Sequence, residues 1–264
     1  MTQPPSYSTA EGIAAFIASD LPDGVWASVG ANLHVPRAGV MLAHLTHAPN
    51  MHVTLSMTRT HLAEAPELPV PASSTDWRFG RWAESYLVHS STYDNNRHRR
   101  NGAFFIGGMQ VDRYGNTNLI GIGSEHSRLK SRGPGGVGTG YMAAYARLLY
   151  IYVQSHSRRV FVEQCDHVSA LGWRNGEWDR AALKLPGGGP RYCVTPLCVF
   201  DFDPDSRRMR VKSVHAGHTI EEVLDNTGFD VLVPERVPTT PAPSAEQLDV
   251  LRGRLDPDGA LRAS

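Results

Sequence analysis

GAFFIGGMQVDRYGNTNLIGIGSEHSRLKSRGPGGVGTG, residues 102–140, decides how the rest of the chain is read. Its opening run, Ala103-Phe104-Phe105-Ile106, is apolar and bounded by glycine, the pattern of a buried strand. Gly107-Gly108 ends the run, and Asp112-Arg113-Tyr114-Gly115-Asn116 follows. These residue types tolerate tight turns, because glycine lacks a Cβ and Asx side chains bond nearby backbone. A second glycine cluster, Gly133-Pro134-Gly135-Gly136, has Gly138 and Gly140 behind it. Two readings fit. Spacing alone favours glycines that punctuate ordinary turns. The other reading brings backbone N–H groups close to something bulky and polar or anionic, at the carboxyl ends of strands in an open α/β sheet, where ligands bind.

Upstream, Ser8-Thr9-Ala10-Glu11 has capping-box spacing, and Ile13, Phe16 and Ile17 follow on one helical face, which predicts a helix starting near residue 9. Residues 25–29 read as a strand stopped by Gly30, residues 37–46 as a helix with Pro49 beyond it, and residues 52–56 as the next strand. Strand, glycine-containing loop, helix, strand is the βαβ rhythm of a parallel sheet. Residues 63–79 are rich in Pro and Ser and read as a surface excursion, and Arg97-His98-Arg99-Arg100 as a basic solvated turn or a phosphate contact.

Downstream, residues 141–152 fit helix or strand, and residues 159–162 read as a strand. Leu185-Pro186-Gly187-Gly188-Gly189-Pro190 reads as a loop before a strand at 191–195. Residues 198–202 and 209–214 read as an antiparallel hairpin turned through Asp203-Pro204-Asp205-Ser206. Thr219-Ile220-Glu221-Glu222 repeats the capping-box spacing, with a stop at Asn226-Thr227-Gly228. The expected organisation is an α/β domain over 1–233, then a Pro-rich linker and a C-terminal helix over 234–264 packing on it.

The 264 residues suffice for one large domain or two small ones, and 41% hydrophobic with 20% charged residues is ordinary for a globular protein. Lys+Arg 26 balances Asp+Glu 26, so no global field recruits nucleic acid or a membrane surface. Three cysteines, Cys165, Cys193 and Cys198, have no metal or redox spacing, and their odd number fits a reducing cytosol better than a disulfide framework. The amino terminus does not read as a signal peptide, and residues 148–153 are too few to span a bilayer. A cytoplasmic location is expected.

No standard catalytic motif emerges. His44/His47 and His215/His218 lack a third ligand at metal spacing, so no metal is expected. The glycines carry no Gly-Lys-Ser/Thr, no G-x-G-x-x-G opens a helix after the first strand, and no G-x-S-x-G elbow occurs. Glu125 lies near the glycine loops, but its neighbours Ser124 and His126 read as exposed loop.

The run from Ile106-Gly107-Gly108-Met109-Gln110-Val111-Asp112 to Arg113-Tyr114-Gly115-Asn116-Thr117-Asn118 resembles the β-subunit signature of family I CoA-transferases, glutaconate CoA-transferase branch. His47-Ala48-Pro49-Asn50, Gly133-Pro134-Gly135-Gly136, Ser157-Arg158-Arg159-Val160 and Asp225-Asn226-Thr227-Gly228 agree in the same order. The resemblance implies an open three-layer α/β/α sheet of the CoA-transferase type, mostly parallel with an antiparallel hairpin. It also implies an α-type partner subunit in an α2β2 heterotetramer, with coenzyme A present as part of the substrate and no permanently bound cofactor. By the same resemblance Gly107, Gly108, Gln110, Asn116, Gly133, Gly135 and Gly136 line the thioester pocket, their backbone amides holding an oxyanion.

One departure stands out. The family's nucleophilic glutamate belongs at the end of the strand after His-Ala-Pro, where Ser56 stands, and no carboxylate occurs between Asn50 and His61. A serine without a local base is a weak nucleophile. Ser56 therefore fills space, or binds substrate or positions water at the pocket's floor. Loss of the glutamate resembles the β-type chain of the ring-opening acyl-CoA hydrolase of steroid catabolism, where the acid/base is expected on the α-type partner. A second branch of the superfamily decarboxylates its acyl-CoA. The alternatives are a true CoA-transferase, an acyl-CoA decarboxylase and a non-catalytic scaffold subunit.

Overall fold

The computed structural model describes residues 6–55, 58–60, 81, 83–86, 102–136, 138–176 and 178–263. Ser56, the Pro/Ser-rich stretch at 63–79 and the basic cluster at 97–100 lie outside the described residues. Two compact units form, one from 1–94 with 240–264, the other from 95–239.

In the first unit, α1 (Thr9–Asp20) starts on the expected capping box: Ser8 Oγ accepts from the Glu11 amide, and the Glu11 carboxylate accepts from the Ser8 amide at 2.9 Å. β1 (Trp26–Val29) follows, then α2 (His34–Leu45). The second helix begins three residues earlier than its periodicity predicts, because Pro36 sits in the first turn, where a missing N–H costs no hydrogen bond. The two helices approach at Gly39, where a Cβ would stand 2.8 Å from the Ala14 carbonyl oxygen and from Ile17 Cβ. β2 (His52–Leu55) pairs parallel to β1, as a βαβ crossover requires, and β3 (Thr58–Thr60) and β4 (Ala83–Tyr86) continue antiparallel.

The His47-Ala48-Pro49-Asn50 stretch is a clamp on the turn before β1. His47 Nε2 lies 3.1 Å from the Leu21 carbonyl oxygen, and Asn50 donates its backbone and side-chain amides to the Asp23 carboxylate at 2.8 and 2.7 Å.

The second unit opens with β5 (Gly102–Ile106), buried throughout. An excursion of short ribbons follows: β6 (Gln110–Val111) pairs with β7 (Thr117–Asn118), and β8 (Gly121–Ile122) with β9 (Ser131–Arg132). The ambiguous residues 141–152 divide between α3 (Thr139–Tyr145) and β10 (Leu148–Tyr152), the helix ending where Ala146 turns extended. A small hairpin, β11 (Arg174–Asn175) and β12 (Trp178–Asp179), precedes β13 (Pro190–Val194), β14 (Cys198–Phe202) and β15 (Met209–Val214). β5, β10 and β13 are parallel, and β13, β14 and β15 antiparallel, which is the expected hairpin. Phe105 stacks on Tyr150 across the parallel pair with ring centroids 4.5 Å apart.

The strand expected at 159–162 does not form. The amides of Val160 and Phe161 both turn back to the Ser157 carbonyl, leaving one isolated bridge from Phe161 to Val111. The Phe161 side chain is fully buried against His156, Phe200 and Phe229, which accounts for the apolar pattern that suggested a strand. α4 (Ile220–Asp225) is capped by Thr219, but Glu222 does not close a box; its carboxylate meets His218 Nδ1 at 2.9 Å instead.

The carboxyl-terminal segment belongs to the first unit. α5 (Ala245–Val250) has a complete capping box at Ser244 and continues as π-helix through Leu251–Leu255. Arg252 grips Glu11 with Nε and a terminal nitrogen at 2.7 and 2.9 Å, and Ser8 Oγ donates to the Leu261 carbonyl at 2.7 Å. Burial pushes the Glu11 carboxyl up, but the bonds from Arg252 and Ser8 outweigh it and hold the group below its ordinary value.

Candidate functional site

β5, β10 and β13 run parallel and end at Ile106, Tyr152 and Val194, so one sheet edge collects Gly107-Gly108, the turn after β10 and Thr195. Ligands of open α/β sheets bind outside this carboxyl edge, and the glycine excursion grows from it.

A buried polar scaffold holds the excursion in shape. Asp112 is 3% exposed, Gln110 5%, and Asn116 and Asn118 are fully buried. One Asp112 oxygen accepts from the amides of Tyr114 and Asn116, and the other accepts from Asn116 Nδ2 at 2.7 Å. Asn116 also donates to the Arg174 carbonyl at 2.8 Å and accepts from the Gly172 amide at 2.7 Å, tying in chain more than fifty residues away. Gln110 Oε1 accepts from Asn118 Nδ2 and the Asp166 amide, and Asn118 Oδ1 accepts from the Ile120 amide. Burial raises the Asp112 carboxyl above its ordinary value despite these donors. Gln110 and Asn116, which the resemblance places at the thioester pocket, have side chains that bond to the chain itself and shape the loop.

The glycines divide by what surrounds them. At Gly133 a Cβ would run into the Leu119 carbonyl oxygen and approach Met109 Sδ to 2.7 Å, and at Gly108 it would lie 2.8 Å from the Gln110 carbonyl oxygen. Gly135 has φ +90° and open space around it. The Gly133 and Gly135 amides donate to the Ile120 and Leu119 carbonyls, both at 2.8 Å, so neither is left over for an oxyanion. The Gly136 amide has no acceptor among the described residues.

At the same edge lies a group that no motif indicates. His156 Nδ1 is 2.9 Å from Thr195 Oγ1 and its Nε2 is 3.0 Å from Thr227 Oγ1, while His215 Nε2 is 2.9 Å from the Thr195 carbonyl oxygen. Burial pushes both rings down to about 4, in His156 against the pull of Glu222. Neutral in the fold and protonated when unfolded, these histidines contribute stability that is complete above pH 6.5 and lost as pH falls toward 4. The expected slope is up to about 1.4 kcal/mol per pH unit for each ring, partly offset at the acid end by Asp112, whose raised value acts in the opposite sense. Urea midpoints measured between pH 7 and 4 check this. His156→Gln should flatten the fall by about half, and an unchanged slope would disprove the assignment.

Burial disfavours the thiolate at all three cysteines, pushing Cys198 up to about 12 and raising Cys165 and Cys193 above their ordinary range. Among the described residues no cluster of three metal-ligating side chains occurs, and no helix is long and apolar enough to cross a membrane. Glu125 is exposed, as its neighbours imply. A cavity of about 270 Å³ opens beside Arg147, Trp173 and Gly188, at the amino ends of β10 and β13 and hence at the opposite edge of the parallel strands.

Comparison with known proteins agrees with this geometry. Residues 10–226 match the family described as Coenzyme A transferase. One subunit of glutaconate CoA-transferase from Acidaminococcus fermentans is 32% identical over 97% of this chain and 95% of its own length. The cholesterol ring-cleaving hydrolase IpdB subunit of Mycobacterium tuberculosis is 30% identical over 83% of each chain. The crystal structure of IpdAB from Rhodococcus jostii RHA1 superposes with a TM-score of 0.83 at 26% identity, covering 98% of both chains. These likenesses span the glycine excursion, the parallel strands and the antiparallel hairpin alike, and the chain belongs to the coenzyme A transferase family, as a member of its β-subunit type.

Proposed function

We propose that this chain is the β-type subunit of a cytoplasmic α2β2 enzyme that opens a carbon–carbon bond in a cyclic keto acyl-CoA, with the acid/base supplied by the α-type partner. One observation carries the reading: residues 51–60, where transferases of this family hold their attacking glutamate, contain no carboxylate, and Ser56 takes its place. Gly107, Gly108, Gly135 and Gly136 line the thioester pocket, and Gly133, Gln110 and Asn116 fix its shape. The Gly136 amide stabilises an enolate or oxyanion while the partner's group moves protons. The IpdB likeness supports ring opening, since that relative's name describes a ring-cleaving hydrolase.

A second reading, a working CoA-transferase, is favoured by the 32% identity to the glutaconate CoA-transferase chain over nearly the full length. Borohydride separates the two. A transferase passes through a glutamyl-CoA thioester that the reagent reduces, inactivating the enzyme and changing the mass of the chain that bears it. The complex reconstituted with its α-type partner and charged with glutaconyl-CoA or acetyl-CoA is expected to keep its activity and this chain its mass. Inactivation with reduction on this chain would establish the transferase.

A further inference from the structure

Arg180, directly after β12, is a buried cation that the proposed chemistry leaves unused. It is 5% exposed, and no carboxylate pairs with it among the described residues. Asp179, its neighbour in the chain, accepts instead from the Ala182 amide at 2.6 Å. Carbonyl oxygens surround the guanidinium. One terminal nitrogen donates to Ala143 and Ala144 at 2.9 and 3.2 Å, and the other to Leu171 and Gly172 at 3.3 and 3.5 Å. Nε has no partner. Burial lowers the group to about 10, with no opposing charge to offset it.

The four carbonyls belong to two segments that both lead to the glycine loop. Ala143 and Ala144 lie in the last turn of α3, where carbonyls lack intrahelical donors and the helix dipole is negative, so the cation serves as a cap. α3 has seven residues and no side-chain cap at its amino end, and so short a helix depends on its end contacts. Its first turn is fastened to Gly136, whose carbonyl accepts from the Thr139 amide and hydroxyl at 2.7 and 2.5 Å. Leu171 and Gly172 precede β11. The Gly172 amide donates to Asn116 Oδ1, and a Cβ at Gly172 would strike the Tyr114 carbonyl, so this stretch is seated on the polar scaffold of the excursion.

One buried side chain thus bolts the helix that leaves the loop to the segment that the scaffold holds. Arginine suits the task because its planar fork presents donors at fixed angles to two pairs of carbonyls at once, which a single ammonium cannot do.

We propose that Arg180 is a positioning residue of the acyl site: by bridging α3 to residues 171–172 it fixes Gly136, whose amide meets the negative charge that develops on the substrate oxygen. This inference rests on the acyl-CoA reading above. Two probes test it on the complex reconstituted with its α-type partner. One is 2-oxocyclohexane-1-carbonyl-CoA, whose ring opens when water adds across the bond between the keto carbon and its substituted neighbour. The other is transfer of coenzyme A from glutaconyl-CoA to acetate. Rates are taken per assembled complex, measured by sedimentation. In Arg180→Met, kcat should fall about tenfold to a hundredfold, with KM within about twofold of wild type, because the residue touches no substrate. Arg180→Lys should keep part of the rate at neutral pH. That rate should fall relative to wild type as pH rises from about 7 to about 9.5, since burial draws the lysine ammonium toward its neutral form. Wild-type Arg180, at about 10, stays largely charged across this range. If Arg180→Met is not recovered folded, the pH profile of Arg180→Lys decides alone. A lower Tm with kcat unchanged, a loss confined to KM, or an Arg180→Lys rate that tracks wild type at every pH would overturn the inference and leave the acyl-CoA reading standing. A wild-type complex that turns over neither probe would overturn both.

Discussion

Gly133→Ala should lower turnover of the reconstituted complex by about a hundredfold or more, because a displacement near 1 Å at a reacting centre costs that much. The added Cβ has nowhere to go: it meets the Leu119 carbonyl oxygen and comes within 2.7 Å of Met109 Sδ. Relief requires the loop to move away from residues 119–120, breaking the Gly133 and Gly135 amide bonds and shifting Gly136 with them. Gly135→Ala is the matched control. Its φ of +90° strains a side chain, but nothing lies within 4 Å of the new methyl, so the loop can keep its path. The strain is expected to cost stability, about 1–3 kcal/mol for an unusual backbone conformation, and turnover less than about tenfold. Single-turnover consumption of acyl-CoA, with circular dichroism and sedimentation to confirm fold and assembly, reads both variants. Gly133→Ala with normal turnover would show that the loop does not position the reacting group.

Asn116→Ala is expected to be the most destabilising single change in the second unit. Asn116 is fully buried and satisfies one oxygen of Asp112, the Gly172 amide and the Arg174 carbonyl. Alanine leaves the buried Asp112 oxygen and Gly172 amide, and the partly exposed Arg174 carbonyl, without that partner, at about 1–3 kcal/mol for each buried group and more for the carboxylate. A total loss of roughly 3–5 kcal/mol corresponds to a fall in Tm of about 6–20 °C for a chain of this size. Asp112→Asn should cost a comparable amount, since both carboxylate oxygens accept from N–H groups and an amide nitrogen would face a donor at one of them. Thermal unfolding followed by circular dichroism measures both. A fall of less than about 3 °C for Asn116→Ala, or under 1–2 kcal/mol, would mean that water or local collapse repairs the network.

How far the residues alone reach is clearest element by element. The caps at Ser8, Thr219 and Ser244 are local: a hydroxyl three residues before the amide it accepts from is visible in the sequence, and each forms. The buried strand at 102–106 and the hairpin at 198–214 were equally legible, because alternation and apolar runs report burial directly. Phe161 misled for the same reason: an aromatic buried from a turn has the hydropathy of one buried from a strand. The two glycine clusters were legible as loops, but not which of their amides are already bonded.

The sequence by itself therefore determined the helix caps, the buried strand at 102–106 and the hairpin at 198–214, the family through its ordered motifs, and the lack of a carboxylate at residues 51–60. The tertiary structure alone decided which side chains the loop consumes. Asn116 finds Gly172 and Arg174 across 56 and 58 residues, and His156 finds Thr195 and Thr227 across 39 and 71. A polar residue reads the same in sequence whether its hydrogen bonds go inward or to a substrate. Only the fold, by burying it beside a partner distant in the chain, settles which.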